Sequence, residues 1–425
     1  MPGSMRVAIF LILGAVVGPA ATAQDWVDLT PAAGNAPAPR RNSASIYDPV
    51  GHRMIVFGGK TSSGDVNDVW AFDLADDTWT ELTPAVGPAP AGRFTANAVY
   101  DSLNHSMIVW SGQGTGAFLN DVWSFDLANP GWSEYMPAAP MPNIRYGTAA
   151  VFDPATRELV TFAGFTDMGR FDDTWRFDGD DVQWTDVSPA SGPSQRCLHS
   201  ASYDGLTHRM IIYGGQQTGA LDDIWAFDLA NDTWADLTPA TRPDGRFFTA
   251  QAYDAIRHRA LVFGGNLSPG RSDEVWAFDL AAETWSEVQP SGSGPLARDA
   301  STGIYVLTED RMIVFGGNTG AFRNDVWAVD FAPGGGIVFP WQIVADGDAL
   351  RWPMATNVDY VRGDLAEVEI YGVDVLGSET HVTSIEDAAV PTPGNGFYYV
   401  VRLNGDRGSW QTNPGDNPER DTDLP

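Results

Sequence analysis

The sequence predicts an all-β protein made of one four-stranded unit written six times, and three observations lead there. The stretch NDVWAFDLADDTW (67–79) returns as NDVWSFDLANPGW (120–132), DDTWRFDGDDVQW (172–184), DDIWAFDLANDTW (222–234), DEVWAFDLAAETW (273–285) and NDVWAVDFAPGGG (324–336). The first tryptophans of these copies, Trp70, Trp123, Trp175, Trp225, Trp276 and Trp327, are 50 to 53 residues apart, a spacing typical of repeat architectures. Ahead of each copy stands an apolar run closing on small residues, such as MIVFGG (54–59), LVTFAG (159–164) or MIIYGG (210–215). Further ahead, an arginine precedes an aromatic by seven residues in every unit, as Arg40 precedes Tyr47 and Arg298 precedes Tyr305.

The chain opens with Arg6, an apolar run VAIFLILGAVVG and Ala21-Thr22-Ala23. A basic start, a short apolar core and an A-x-A site predict a cleaved export signal over 1–23 and a secreted or periplasmic protein. No later segment reaches the roughly 20 apolar residues of a membrane-spanning helix, so membrane insertion is not expected. The single cysteine, Cys197, excludes an intrachain disulfide framework.

Within a unit, the Arg-to-aromatic stretch ends in a polar turn such as DPVGH (48–52), marking a first strand. The MIVF run, apolar at every position, marks an interior strand covered on both faces. Its small-residue end marks a turn that leaves little room for a side chain. VWAFD alternates large and small, and WTEL (79–82) alternates apolar with polar as an outer strand should. No window shows helical periodicity. Four-stranded units repeated radially make a propeller.

The order of arginine, glycine pair, acidic-Val-Trp-x-Phe-Asp and closing tryptophan resembles the kelch family over residues 26 to 332. The resemblance implies a six-bladed kelch-type β-propeller over 24–332. In five units a closing tryptophan lies nine residues after the first, but in the sixth that position is Gly336. The N-terminal WVDLTP (26–31) matches WTELTP (79–84) and WADLTP (234–239), so the N-terminal strand is expected to complete the sixth blade beside VWAVDF (326–331).

After a Gly-rich linker at 333–340, the runs NVDYVRG (357–363), VEIYGVDVL (368–376) and GFYYVVRLNG (396–405) predict a small β-sandwich over 341–412. The placement of Trp352 and Tyr360 resembles fibronectin type III modules. The remaining 413–425 is polar and Pro-rich and is expected to be a disordered acidic tail.

With 25 basic and 55 acidic residues the formal charge is −30, which disfavours nucleic acid as a partner. The connections that carry the arginines and those that follow the glycine pairs meet on one face, so a ligand mouth is expected there. Candidate ligand-binding residues are Arg40, Arg93, Arg145, Arg196, Arg246 and Arg298, the loop residues Lys60, Gln113, Gln216, Asn266 and Asn318, and the aromatics Phe94, Tyr146 and Phe247. The same face carries Asp68, Asp121, Asp173, Asp223, Glu274 and Asp325, so the arginines equally suit an ion-pair ring between blades. His52, His105, His208 and His258 fall in the turns of the opposite face and read as solvated.

No metal-ligand spacing, cofactor motif or catalytic residue stands out. Among enzymes of the kelch type, galactose oxidase requires a copper site for which only Cys197 and His199 are near. The function expected is therefore that of an exported, non-catalytic, monomeric protein whose mouth binds a glycan or protein ligand. The alternative is a sugar-processing enzyme, similar to a sialic acid epimerase, using channel arginines and carboxylates.

Overall fold

The computed structural model describes residues 24–331 and, as backbone, the strands Val344–Asp346, Ala349–Asp364, Asp374–Glu386 and Phe397–Leu403. The two parts belong to separate compact units.

In the first part, every sequence unit folds as an antiparallel meander. In the first unit the strands are Ala44–Asp48, Arg53–Thr61, Gly64–Asp73 and Thr78–Glu81, each hydrogen-bonded to the next. The second strand is the most buried, with Met54, Ile55, Val56 and Phe57 at 0–1% exposure. Side chains alternate between the faces of a strand, so burial of consecutive residues means that both faces are covered. In the fourth strand only Trp79 is buried, and its polar neighbours face solvent. That limits what an exposed sheet edge offers to another strand.

The covering comes from neighbouring units. One buried cluster joins Ile55, Phe57 and Val69 of the first unit to Met107, Val109, Phe125 and Trp132 of the second. Clusters of the same composition lie between each later pair of units, and another joins Ile313 and Phe315 of the sixth unit to Val56, Phe72 and Trp79 of the first. The first strands lie side by side in chain order, and Thr302–Val306 of the sixth unit lies beside Ala44–Asp48.

The sixth unit contributes Thr302–Val306, Arg311–Asn318 and Phe322–Asp330. Its fourth position is taken by Asp25–Asp28, antiparallel to Phe322–Asp330, with Trp26 opposite Val329 as Trp79 is opposite Phe72. The ring of Trp26 meets Phe263 edge-on at 5.4 Å and Trp327 at 6.4 Å.

The small-residue pair that ends each second strand has a geometric cause. Its first residue is left-handed, with φ +61° at Gly58, +62° at Ser111 and +58° at Ala163, a region that serine and alanine tolerate at a cost. The second, Gly59, has φ +106°, and a Cβ there would stand 2.5 Å from Ser43 Oγ and 3.0 Å from the Arg41 carbonyl oxygen. This explains why the first position varies and the second is glycine in all six units.

The turn histidines are not merely solvated. His105 Nε2 lies 2.9 Å from Asp48 of the preceding unit, His208 2.8 Å from Asp153, and His258 3.2 Å from Asp204. His52 Nε2 lies 2.6 Å from Glu309 of the sixth unit. The aspartates are fully buried and also cap their own turns, as Asp48 does by accepting from Val50 N and Gly51 N. An unpaired buried carboxylate is costly, and the histidine one unit on is a ready partner.

In the second part, Ala349–Asp364 pairs antiparallel with Val344–Asp346, Asp374–Glu386 and Phe397–Leu403. The β-sandwich expected over 341–412 is thus represented by one sheet. The strand expected at 368–376 is described from Asp374 onward. The segments 1–23, 333–340 and 413–425 lie outside the described residues.

Candidate functional site

The six arginines are 0–1% exposed, and each of their guanidinium nitrogens donates to a group of the protein itself. Arg40 donates from Nη1 and Nη2 to the two carboxylate oxygens of Asp68 at 2.7 and 2.8 Å, from Nη1 to the Gly58 carbonyl and from Nε to the Ala38 carbonyl. The Trp70 indole donates to the same carboxylate at 2.8 Å. Arg93 with Asp121, Arg145 with Asp173, Arg196 with Asp223 and Arg298 with Asp325 repeat the two-pronged pair. Arg246 makes one contact, 2.8 Å to Glu274, and completes its set with Ser272 Oγ. Burial pushes Asp121 and Asp325 upward, but the guanidinium and the indole hold both below the usual carboxylate range.

Each acid lies 27 or 28 residues after its arginine, in the same unit. The pairs therefore knit the entry of a unit to its own third strand and do not bridge blades. A buried guanidinium needs acceptors, and the carbonyls and carboxylate give at least one to each of its three nitrogens. These arginines are buried and committed to the fold at every nitrogen.

The residues beside them remain on the surface. Phe94 pairs through its backbone with Gln113, and Gln113 with Phe118, as a small three-stranded sheet. Tyr146 bridges to Phe165 on the second strand of the third unit. These pairings set four half-buried aromatics in one arc across the second and third units. Phe94 and Tyr146 are 6.3 Å apart, Phe118 stacks on Tyr146 at 5.5 Å and 12°, and Phe165 meets Tyr146 edge-on at 5.7 Å. Cations flank the arc: Lys60 Nζ lies 4.8 Å from the Phe94 centroid and the Arg170 guanidinium 5.3 Å from Phe165. At the tip of the same hairpin Met168 is 81% exposed.

The structure thus brings Lys60, Phe94, Gln113 and Tyr146 together. Lys60 also pairs with Asp65 at 3.0 Å. Gln216 joins from the fourth unit, accepting from Arg170 Nε at its carbonyl, 2.9 Å, and from Arg170 Nη2 at Oε1, 3.3 Å. Asn266 and Asn318 sit elsewhere on the rim: Asn266 donates to Asp299, which Arg271 also holds, and Asn318 accepts from Gly320 N. Phe247 is buried with Phe248, Leu198 and Cys197. Phe118, Phe165 and Arg170 were not singled out from the sequence. For Phe165 the signal is that it follows the small-residue pair where the other units carry Lys60, Gln113, Gln216, Asn266 and Asn318.

Among the described residues no helix is long and apolar enough to cross a membrane. The family model KLHDC2/KLHL20/DRC7 Kelch-repeats domain matches residues 20–193 and 189–334. The chain is 28% identical to Kelch domain-containing protein 3 of Bos taurus over 310 residues, 66% of this chain and 78% of that one. It is 29% identical over 206 residues to the flagellar outer-arm dynein alpha chain of Chlamydomonas reinhardtii, 44% of this chain but 4% of the dynein. It is 30% identical over 200 residues to Adagio-like protein 1 of Oryza sativa subsp. japonica, 45% of this chain and 30% of that protein. The chain therefore spans only a small part of some of its relatives, and what it has in common with all of them is the repeat. With antiparallel four-stranded sheets in the second to fifth units and the first and sixth joined in a nine-stranded one, the chain belongs to the kelch-repeat family and is built as a β-propeller.

Proposed function

We propose that the six units close into one ring, with Asp25–Asp28 as the fourth strand of the sixth, and that the chain is an exported, monomeric interaction protein. Its partner is an extended protein segment laid across the aromatic side of the mouth. The observation that carries this reading is the arc of Phe94, Phe118, Tyr146 and Phe165 with Lys60 and Arg170 at its flanks. Rigid aromatics supply large contact area at small entropic cost, and basic groups beside them select the register of a partner. Kelch domains bind protein partners, which agrees with this use of the face.

Ring closure is supported by the first strand of the sixth unit lying beside that of the first and by the buried cluster the two units share. Export rests on the apolar run and A-x-A site ahead of Asp25. The epimerase-like alternative loses support, because the arginines it requires are already held by carboxylates.

The test is peptide display against the folded chain, followed by titration of a selected peptide. Phe118→Ala with Phe165→Ala should weaken binding at least about tenfold with an unchanged melting temperature. Selected peptides that bind this double variant as tightly as the parent would place recognition elsewhere.

A further inference from the structure

With 55 acidic residues against 25 basic ones, a cation in this chain seldom lacks a carboxylate. Within residues 24–331 three arginines do: Arg41, Arg170 and Arg323. Every other lysine and arginine there holds an acid. All three belong to the face of the mouth. Arg41 follows the framework Arg40, Arg170 lies on the hairpin that carries Phe165, and Arg323 lies on the corresponding hairpin of the sixth unit.

Arg41 and Arg170 stand at the two ends of one continuous row. Arg40 and Arg41 pair through their backbone with Arg53–Thr61 of the first unit, and Arg40 also with Phe322–Asp330 of the sixth. Arg41 is directly opposite Lys60, so both side chains leave the same face of the sheet. The Arg41 guanidinium lies 5.4 Å from the Phe322 centroid, and Lys60 lies beside Phe94. From Phe94 the row continues through Tyr146, Phe118 and Phe165 to Arg170.

The protein itself does not balance the charges at the two ends. Asp65 takes Lys60 at 3.0 Å, but Arg170 has only the two oxygens of Gln216. Asp167 and Asp172, on the same hairpin as Arg170, are exposed and hold no cation among the described residues. Arg41 is half-buried and donates from its side chain to no group of the described residues; only its Nε is enclosed. A guanidinium makes its strongest bonds to a carboxylate, through two parallel donors. On a chain of formal charge −30, an acidic partner is repelled from most of the surface and is drawn to the place where cations lack acids.

We propose that the partner of the arc is an acidic segment, an extended stretch of chain whose apolar residues lie on the aromatics and whose Asp or Glu side chains pair with Arg41 and Arg170. This rests on the reading of the arc as a protein-binding surface and adds the sign and placing of the partner's charges.

The experiment sorts a displayed library of random peptides against the full chain and titrates the selected sequences as synthetic peptides. Selected peptides should carry Asp or Glu, and replacing these by Asn or Gln should weaken binding about tenfold or more. Arg41→Gln with Arg170→Gln should do the same at an unchanged melting temperature, because neither arginine holds an acid of the fold. Arg209→Gln, on the opposite face, should leave binding unchanged. Selected peptides without acidic residues that still lose affinity in Phe118→Ala with Phe165→Ala would leave the arc a protein-binding surface and overturn this inference alone. Equal affinity of the Arg41→Gln, Arg170→Gln variant and the parent would also overturn it. Heparin bound at the row in place of any acidic peptide would assign the row to a polyanionic glycan and overturn it. A library that yields no binder at all overturns both readings.

Discussion

At one end of each first strand an arginine is paired with an acid of its own unit, while at the other end, at five of the six boundaries, a histidine or arginine reaches an acid of a neighbouring unit. Arg93 holds Asp121 within the second unit, whereas His105 of that unit holds Asp48 of the first. The first kind of pair makes a unit cohere, and the second couples it to its neighbour. In a repeat protein these are distinct quantities, intrinsic stability and interface stability, and the two ends of the strand divide them.

The coupling is not uniform. Between the fifth and sixth units the histidine contact is replaced by Arg257 paired through both prongs with Asp310, at 2.6 Å each, and by Tyr305 donating to Asp254. Between the second and third units no such contact exists among the described residues. There Phe152 stands where other units have tyrosine, and Arg157 stands in place of histidine and turns to the exposed Asp180 of its own unit. The aromatic arc spans this same pair of units on the opposite face. The boundary without a charged contact of this kind therefore carries the half-buried aromatic arc.

The largest expected effect comes from breaking the pair inside a unit. Arg93→Ala leaves Asp121 without its guanidinium and should cost about 3–5 kcal/mol in denaturant unfolding. Arg246→Ala should cost only about 2 kcal/mol, because Glu274 is 41% exposed and can be solvated. Acid comes next. Burial raises Asp48, but Arg53, the Gly51 amide and His105 outweigh it and leave the carboxyl below its ordinary value; Asp153 and Asp204 behave alike with His208 and with Thr207 and His258. A carboxyl depressed in the fold stabilises it above the unfolded value near pH 4, and that contribution is lost as the pH falls through the folded value. The melting temperature should accordingly drop below about pH 4.

His105→Ala should cost about 1 kcal/mol at neutral pH, since Asp48 keeps Arg53 and two amides, and should move acid unfolding to higher pH. The smallest effect is a gain. Arg157→His would offer the buried Asp101 the partner its counterparts have, and should add about 0.5–1 kcal/mol in denaturant unfolding.

Much of this was legible in the sequence because it repeats. WVDLTP at 26–31 reads like the outer strands, and Trp26 occupies an outer-strand position. The arginine and its acid were both visible, but not which acid belongs to which arginine: a partner 28 residues on and one in the next unit look equally near on paper. The histidines of YDPVGH, YDSLNH, YDGLTH and YDAIRH were visible too, yet their partners lie more than 50 residues earlier or in the sixth unit. The arc was the least legible part. Phe165 stands directly after the small-residue pair, in register with Lys60, Gln113, Gln216, Asn266 and Asn318, but as the one aromatic there, whereas Phe118 lies in a connection whose length differs between units.

The measurement that bears most directly on the division between framework arginines and recognising loops is a double-mutant cycle in unfolding free energy on Arg145 and Asp173. Their guanidinium and carboxylate meet at 2.6 and 2.9 Å. A coupling of about 2–3 kcal/mol is the result expected of a framework pair. A coupling indistinguishable from zero, with both single variants as stable as the parent, would mean that the arginine is held in reserve for something other than the fold.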